Sequence, residues 1–278
     1  MHAINDLNIK DFAHYLKSRS KECHKGNFGK VLIIGGNIGY SGAVRLAGEA
    51  ALRVGAGCVV IATHKDHAMC LNLSCPELMC HGVGLNDAKF KQLLEQATFI
   101  ILGPGLGTTD WSLSLLKTTL EQEDTPMLLD ADALNLIAAD HIAMKRSNCI
   151  YTPHPGEAAR LLNVTADHIQ QNRVTAINQL YELLAGVIVL KGAGTLILSD
   201  NSNISICSAG NPGMATAGMG DVLSGIIAGF AAQNIPLSDA AKLGVVVHAL
   251  AGDLAAQSNG ERGMIASDLI ANLRSLVN

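Results

Sequence analysis

The stretch Val31-Leu-Ile-Ile34-Gly35-Gly-Asn-Ile-Gly39-Tyr-Ser-Gly42-Ala43 joins a compact apolar run to a glycine-rich turn, and then to a helix-length segment, Gly42–Val54. A short apolar run bounded by glycine reads as a strand buried on both faces. The pattern recurs along the chain. Cys58–Ala62, Phe99–Leu102, Met127–Leu129, Cys149–Tyr151 and Val187–Leu190 are further short apolar runs. Between and after them lie the expected helices Ala88–Ala97, Trp111–Leu120, Asp132–Ala138, Glu157–Leu162 and Ile169–Leu184. Such alternation predicts an α/β fold, a three-layer αβα arrangement around a mostly parallel sheet, with its site outside the carboxyl ends of the strands. After Lys191 the rhythm changes: Thr195–Ser199 and Ile204–Cys207 read as a hairpin across Asp200–Asn203. Helices Val222–Ala232, Leu237–Gln257 and Ala266–Leu276 follow. With no linker, low-complexity tract or internal repeat, residues 1–278 read as one domain.

Composition narrows the function. Hydrophobic residues make up 49%, aromatics only 4%, and glycines number 28, which suits tight βα turns and close backbone packing. A net charge of −4 gives no electrostatic reason to expect nucleic acid or an anionic membrane as partner. No apolar run reaches the roughly 18 residues that a membrane-spanning helix needs. Met1–Lys30 is polar and lacks a signal-peptide pattern. Seven cysteines, an odd number without framework spacing, fit a reducing cytoplasm.

The strand ends carry Gly, Asp, His or Lys. They are Gly103-Pro-Gly105-Leu-Gly107, Asp130-Ala-Asp132-Ala-Leu-Asn135, Thr152-Pro-His154-Pro-Gly-Glu157 and Lys191-Gly192-Ala193-Gly194-Thr195, beside the first turn. Together they predict a broad cleft for a phosphate-bearing ligand. A Rossmann dinucleotide site is not the leading reading, because the second strand ends in Thr63 and His64 rather than an acidic residue. There is no Walker A loop.

One further stretch carries the chemistry: Asn211-Pro-Gly-Met-Ala-Thr-Ala-Gly218-Met219-Gly220-Asp221-Val-Leu-Ser-Gly225. Small residues feeding a helix start expose backbone N–H groups at the positive end of the helix dipole, a cradle for phosphate. A carboxylate there would repel a phosphate that is merely bound. Asp221 is therefore either the base that takes a proton from an attacking hydroxyl or a helix N-cap.

The motifs GKVLIIGGNIGYSGA, ILGPGLG, LLDADALN, TPHPGEAARLL, VIVLKGAGT and NPGMATAGMGDVLSGIIAG occur in this order. In this set the chain resembles the ADP/ATP-dependent NAD(P)H-hydrate dehydratases of the ribokinase-like superfamily, from about Gly29 onward. The resemblance implies the ribokinase-like fold without a lid. It implies repair of hydrated NADH or NADPH, with ADP (or ATP) consumed, AMP and phosphate released, and magnesium as cofactor. By motif position it implies Asp221 as catalytic base and Gly218, Met219 and Gly220 as the anion hole. Lys191, Gly192, Ala193, Gly194, Thr195 and Gly220 would hold the nucleotide, and Ala43, Gly105, His154 and Asp221 the hydrate. Glu157 sits where related kinases keep a carboxylate that organises magnesium-bound water, and Asp130 and Asp132 offer further carboxylates. A cytoplasmic homo-oligomer, a tetramer among the options, is expected. Many bacterial members carry an appended epimerase domain; here Met1–Lys30 precedes the first expected strand.

Two rivals share these residues. A kinase for a vitamin-precursor alcohol would need the same Asp221 and cradle, and a nucleotide sensor would need the glycines without Asp221. His64, His67, Cys70, Cys75, Cys80 and His81 lack the spacing of a zinc site. His248, within Val245-Val-Val-His-Ala-Leu250, reads as a packed core histidine.

Overall fold

A computed structural model describes residues 4–199 and 203–278. Its sheet has ten strands in the order β1-β10-β9-β8-β7-β6-β5-β2-β3-β4. Strand β2 (Lys30–Ile34) pairs in parallel with β3 (Cys58–Thr63) on one side and β5 (Phe99–Leu102) on the other. Beyond β5 lie β6 (Met127–Leu129), β7 (Cys149–Tyr151) and β8 (Val187–Leu190), all parallel. The antiparallel strands β9 (Thr195–Leu198) and β10 (Ser205–Cys207) follow, as the change of rhythm after Lys191 predicts. Of the connecting turn expected at 200–203, residues 200–202 lie outside the described residues.

Alternation along each strand builds two cores. In β2, Leu32 and Ile34 join the core under α2 (Ala88–Glu95), α3 (Asp110–Leu120), α4 (Asp132–Ala139), α5 (Pro155–Leu162), α6 (Ala166–Gln171) and α7 (Arg173–Leu184). Val31 and Ile33 join the other, under α1 (Ser41–Arg53), α8 (Met219–Ala231) and α9 (Leu237–Asn259). Helix α10 (Ala266–Leu276) packs outside that layer. Both faces of the strands are covered, which is why they read as continuous apolar runs. The chain runs from β2 out to β3 and returns to lay β5 on β2's other side. Helices α1 and α3 therefore leave neighbouring strand ends toward opposite faces, opening the crevice where such sheets bind ligands.

Three differences from the sequence expectations have physical reasons. The helix expected over Ile169–Leu184 is two helices, because Asn172 (φ −130°, ψ 42°) leaves helical geometry between α6 and α7. Strand β4 (Met79–Gly82) was not expected: it pairs only with β3 at the sheet edge, is only partly buried, and so lacks an apolar run. Strand β1 (Asn5–Asp6) is a two-residue pairing with β10, too short to leave a periodicity. Between β2 and α1 only Gly35–Tyr40 intervenes, with no lid inserted.

Helices α1 and α8 cross on glycine. A Cβ on Gly225 would lie 2.1 Å from the Ala47 carbonyl oxygen, and one on Gly229 would lie 2.4 Å from Val54 Cγ2. Alanine is favoured over glycine in a helix by about 1 kcal/mol, but here its methyl would force the helices apart. Gly225→Ala is expected to destabilise the fold by about 1–3 kcal/mol net, an overpacking cost, read as a lower denaturant midpoint.

Candidate active site

The loops at the carboxyl ends of the strands are stitched together by backbone contacts. Gly36 N–H donates to Pro104 O (3.0 Å), Asn37 N–H to Gly105 O (2.7 Å) and Lys191 N–H to Pro153 O (2.9 Å). Gly107 N–H donates to Asp132 Oδ2 at 2.7 Å, tying the β5 loop to the start of α4. Gly105 holds a positive φ (+56°), and a Cβ there would lie 3.1 Å from that of Ala43. Two residues expected to line the hydrate are thus adjacent.

At the start of α8, Gly218 is the N-cap with φ +89°, and Asp221 is the third helical residue. The capping alternative for Asp221 is therefore overturned. A side chain at 218 would strike Leu46 and Ala266 within about 3 Å, as well as being strained by the positive φ. Among the described residues nothing accepts hydrogen bonds from the N–H groups of Met219, Gly220 and Asp221. Free donors at a helix N-terminus are suited to an anion, and two of the three residues expected to form the anion hole, Met219 and Gly220, are among them.

Beneath that turn lies a charge cluster. Lys191 Nζ is 2.6 Å from Asp130 Oδ1 and 3.7 Å from Glu157 Oε2. Asp130 is 1% exposed, and its Oδ2 accepts from Ser224 Oγ at 2.8 Å. A Cβ on Gly220 would sit 3.5 Å from the Lys191 ammonium. Burial pushes the Asp221 carboxyl up, to about 7; Asp130 adds to the rise, Lys191 pulls it back, and Asp132 and Glu157 raise it further. Burial opposes the charge on Lys191, but Asp130, Glu157 and Asp221 together hold its pKa above the usual lysine value. Among the described residues no hydrogen-bond donor reaches the Asp221 carboxylate.

His154 caps α5 rather than standing as an isolated turn residue. Its Nδ1 accepts from Gly156 N–H at 2.9 Å, and Glu157 Oε2 accepts from His154 N–H at 2.7 Å. Burial, followed by the Lys191 charge, lowers the imidazole pKa, so the ring is neutral and carries its proton on Nε2. The side chain is half exposed, with Nε2 3.2 Å from Glu157 Oε1. Glu157 is 3% exposed, and burial raises its carboxyl to about 7. Its oxygens serve the cap and the lysine. Among the described residues no group of three or more His, Cys, Asp or Glu side chains is placed to hold a metal ion. The role expected for Glu157 is to organise magnesium-bound water, which needs one carboxylate rather than a cage built by the protein.

The expected nucleotide residues share one cleft of 510 Å³. Lys191–Thr195, Met219 and Gly220 line one end, while Leu223, Val245 and Ala249 give it an apolar bed. Arg173 staples the β8–β9 turn from below, donating to the carbonyl oxygens of Leu190 (3.1 Å), Lys191 (3.3 Å) and Gly194 (3.0 Å). Asp253 fixes the opposite wall, accepting from Gly210 N–H (3.0 Å) and Asn211 Nδ2 (2.9 Å). His248 is not a closed core residue: it lines this cleft, with Nε2 3.0 Å from Met219 O. Burial lowers its pKa to about 4, so a neutral imidazole donates to that carbonyl. Arg173, Asp253 and His248 lie far from the loop motifs in sequence, and no spacing signal could assign them.

Comparison with known proteins agrees with this geometry. The family model described as NAD(P)H-hydrate dehydratase matches residues 31–275. A bifunctional NAD(P)H-hydrate repair enzyme of Coxiella burnetii is 52% identical over 95% of this chain, which spans only 53% of that relative. An ADP-dependent (S)-NAD(P)H-hydrate dehydratase of Neisseria meningitidis is 37% identical, with 96% of this chain and 91% of the relative covered. The crystal structure of a Bacillus subtilis ADP/ATP-dependent NAD(P)H-hydrate dehydratase, co-crystallised with ATP and Mg2+, superposes with a TM-score of 0.84 at 26% identity, covering 98% of this chain and 97% of the other. The fold is the ribokinase-like one. With a family model matched over residues 31–275 and a relative 37% identical along 91% of its own length, the chain belongs to the NAD(P)H-hydrate dehydratase family.

Proposed function

We propose that this chain, as one domain, catalyses ADP-dependent dehydration of the S form of NADH or NADPH hydrate. The products are NAD(P)H, AMP and phosphate. The observation that carries the reading is the placement of Asp221: a buried carboxylate one residue past Gly220, under free N–H groups and beside the cleft lined by Lys191–Thr195.

The chemistry follows from the difficulty of expelling hydroxide. Asp221 accepts the proton of the hydrate hydroxyl as its oxygen attacks the terminal phosphorus of the nucleotide. The P–O bond to the AMP leaving group breaks, and the N–H groups of Met219, Gly220 and Asp221 meet the charge developing on the transferred group. The ring nitrogen's electron pair then expels the phosphate ester as inorganic phosphate, the C–O bond breaks, and loss of a ring proton restores the nicotinamide double bond. Burial above all, and then Asp130, Asp132 and Glu157, keeps Asp221 basic enough near neutrality to take the first proton.

Bound magnesium supplies neutralisation of phosphate charge. Glu157, a buried carboxylate 3.7 Å from Lys191, would be the residue to organise the ion's water. The neighbouring residues Ala43 and Gly105, together with His154, offer a broad surface for the hydrate without a lid. Closure of that open side by a second copy fits a homo-oligomer.

The test mixes the protein with magnesium, ADP and NADH hydrate and follows the absorbance of restored NADH. Failure with both ADP and ATP removes the reading. Asp221→Asn is expected to lower kcat by roughly 10²–10⁴-fold, the usual worth of general-base catalysis, while ADP still binds by calorimetry.

The pH profile has a defined sign. The base works deprotonated, and burial places its pKa at about 7. The value of kcat/KM should therefore climb as pH rises toward neutrality and level off above it. A profile already flat from pH 5 upward would contradict the assignment.

A further inference from the structure

We propose that Asp130 is a positioning residue of the transfer centre: it anchors the Lys191 ammonium beneath the Gly218–Asp221 turn, and the pair sets the charge that Asp221 experiences. The proposal rests on the reading of Asp221 as base and goes beyond it, because Lys191 by its motif position belongs to the nucleotide turn alone. In the structure its ammonium is directed to Asp130 Oδ1 at 2.6 Å, with Glu157 Oε2 at 3.7 Å. Asp130 is itself held from a second side, by Ser224 Oγ at 2.8 Å.

Ser224 lies one helical turn after Asp221 on α8. Asp130 therefore bridges the end of β6, the end of β8 and the helix that bears the base. A lysine flexible enough to follow a phosphate would have no need of such a seat. Here the cation is built into the floor of the site, 3.5 Å from where a Cβ on Gly220 would lie.

The groups facing Asp221 are identifiable. Asp130 comes from the end of β6, Asp132 from α4, Glu157 from α5 and Lys191 from the end of β8. His248 on α9 is held neutral by burial, and the Lys191 charge also disfavours its protonation. Helices α1 and α10 place Leu46 and Ala266 against Gly218; of α1's charged residues Arg45, Glu49 and Arg53, the last two pair with each other, and α10 carries Asp268 and Arg274. Asp130 is the like charge with the largest effect on Asp221, and Lys191 the opposing one.

The test compares pH profiles. Asp130→Asn removes a like charge and leaves Lys191 less neutralised, so the acidic limb of kcat/KM should move to lower pH by about one unit, the size expected for a nearby charge. Lys191→Met removes the opposing charge and should move the limb to higher pH. A purely structural role would lower activity with the limb unmoved. That outcome in a folded Asp130→Asn protein overturns the proposal; should this variant not fold, an unmoved limb in Lys191→Met does so. The same displacement can be read without turnover from the 13C carboxyl titration of Asp221, its signal assigned by loss in Asp221→Asn. Failure of hydrate repair is thereby distinguished from failure of the Asp130 assignment.

Discussion

A lysine ammonium seated 2.6 Å from a carboxylate that is 1% exposed is the interaction on which the site depends. Ionised groups are costly to remove from water, and removing one partner of a buried pair typically costs about 3–5 kcal/mol because the other charge is left uncompensated. The surrounding chain meets that cost with hydrogen bonds: Ser224 donates to Asp130, and Arg173 braces the turn that carries Lys191. With the pair in place, three further carboxylates can crowd the same few ångströms. Asp132 and Glu157 are each occupied by backbone N–H donors, whereas Asp221 is left without one among the described residues. The asymmetry singles out Asp221 from the carboxylates that hold backbone in place.

The nucleotide cleft has a comparable division of labour. Part of its rim is glycine-rich backbone, from the β8–β9 turn and the first turn of α8. Side chains act from behind. Arg173 reaches under the turn to three carbonyls, Asp253 pins the far wall, and His248 holds the Met219 carbonyl with a neutral ring. Backbone recognition explains the glycines, since bulk or a fixed negative φ would close the approach at Gly192 (φ +143°) and Gly194 (φ +68°).

Much of this was legible in the sequence because buried parallel strands leave an unambiguous mark. Phe99–Leu102, Met127–Leu129, Cys149–Tyr151 and Val187–Leu190 fall where the apolar runs place them. The edge strand Met79–Gly82 left no such mark, since half-exposed residues need no apolar run. The break at Asn172 was hidden because its neighbours on both sides favour helix. In the site, residues contiguous within a motif fall together, as Lys191–Thr195 do along one cleft. Partners brought in from distant elements could not be assigned from spacing. His248 sits in an apolar run and looks like core; only the placement of α9 reveals that the ring meets a cleft. The contact of Glu157 with Lys191 emerges only when α5 and β8 are side by side.

The crossing of α1 and α8 has an evolutionary corollary. What blocks a side chain at 225 is the main-chain oxygen of Ala47, 2.1 Å from the would-be methyl. A clash between two side chains can be relieved by trimming the other, so a compensating mutation can rescue it. No exchange of residue 47 removes its carbonyl. Position 225 is therefore closed to second-site suppression. The helix that delivers Asp221 and the helix that begins beside Ala43 must drift together in any lineage that keeps the contact.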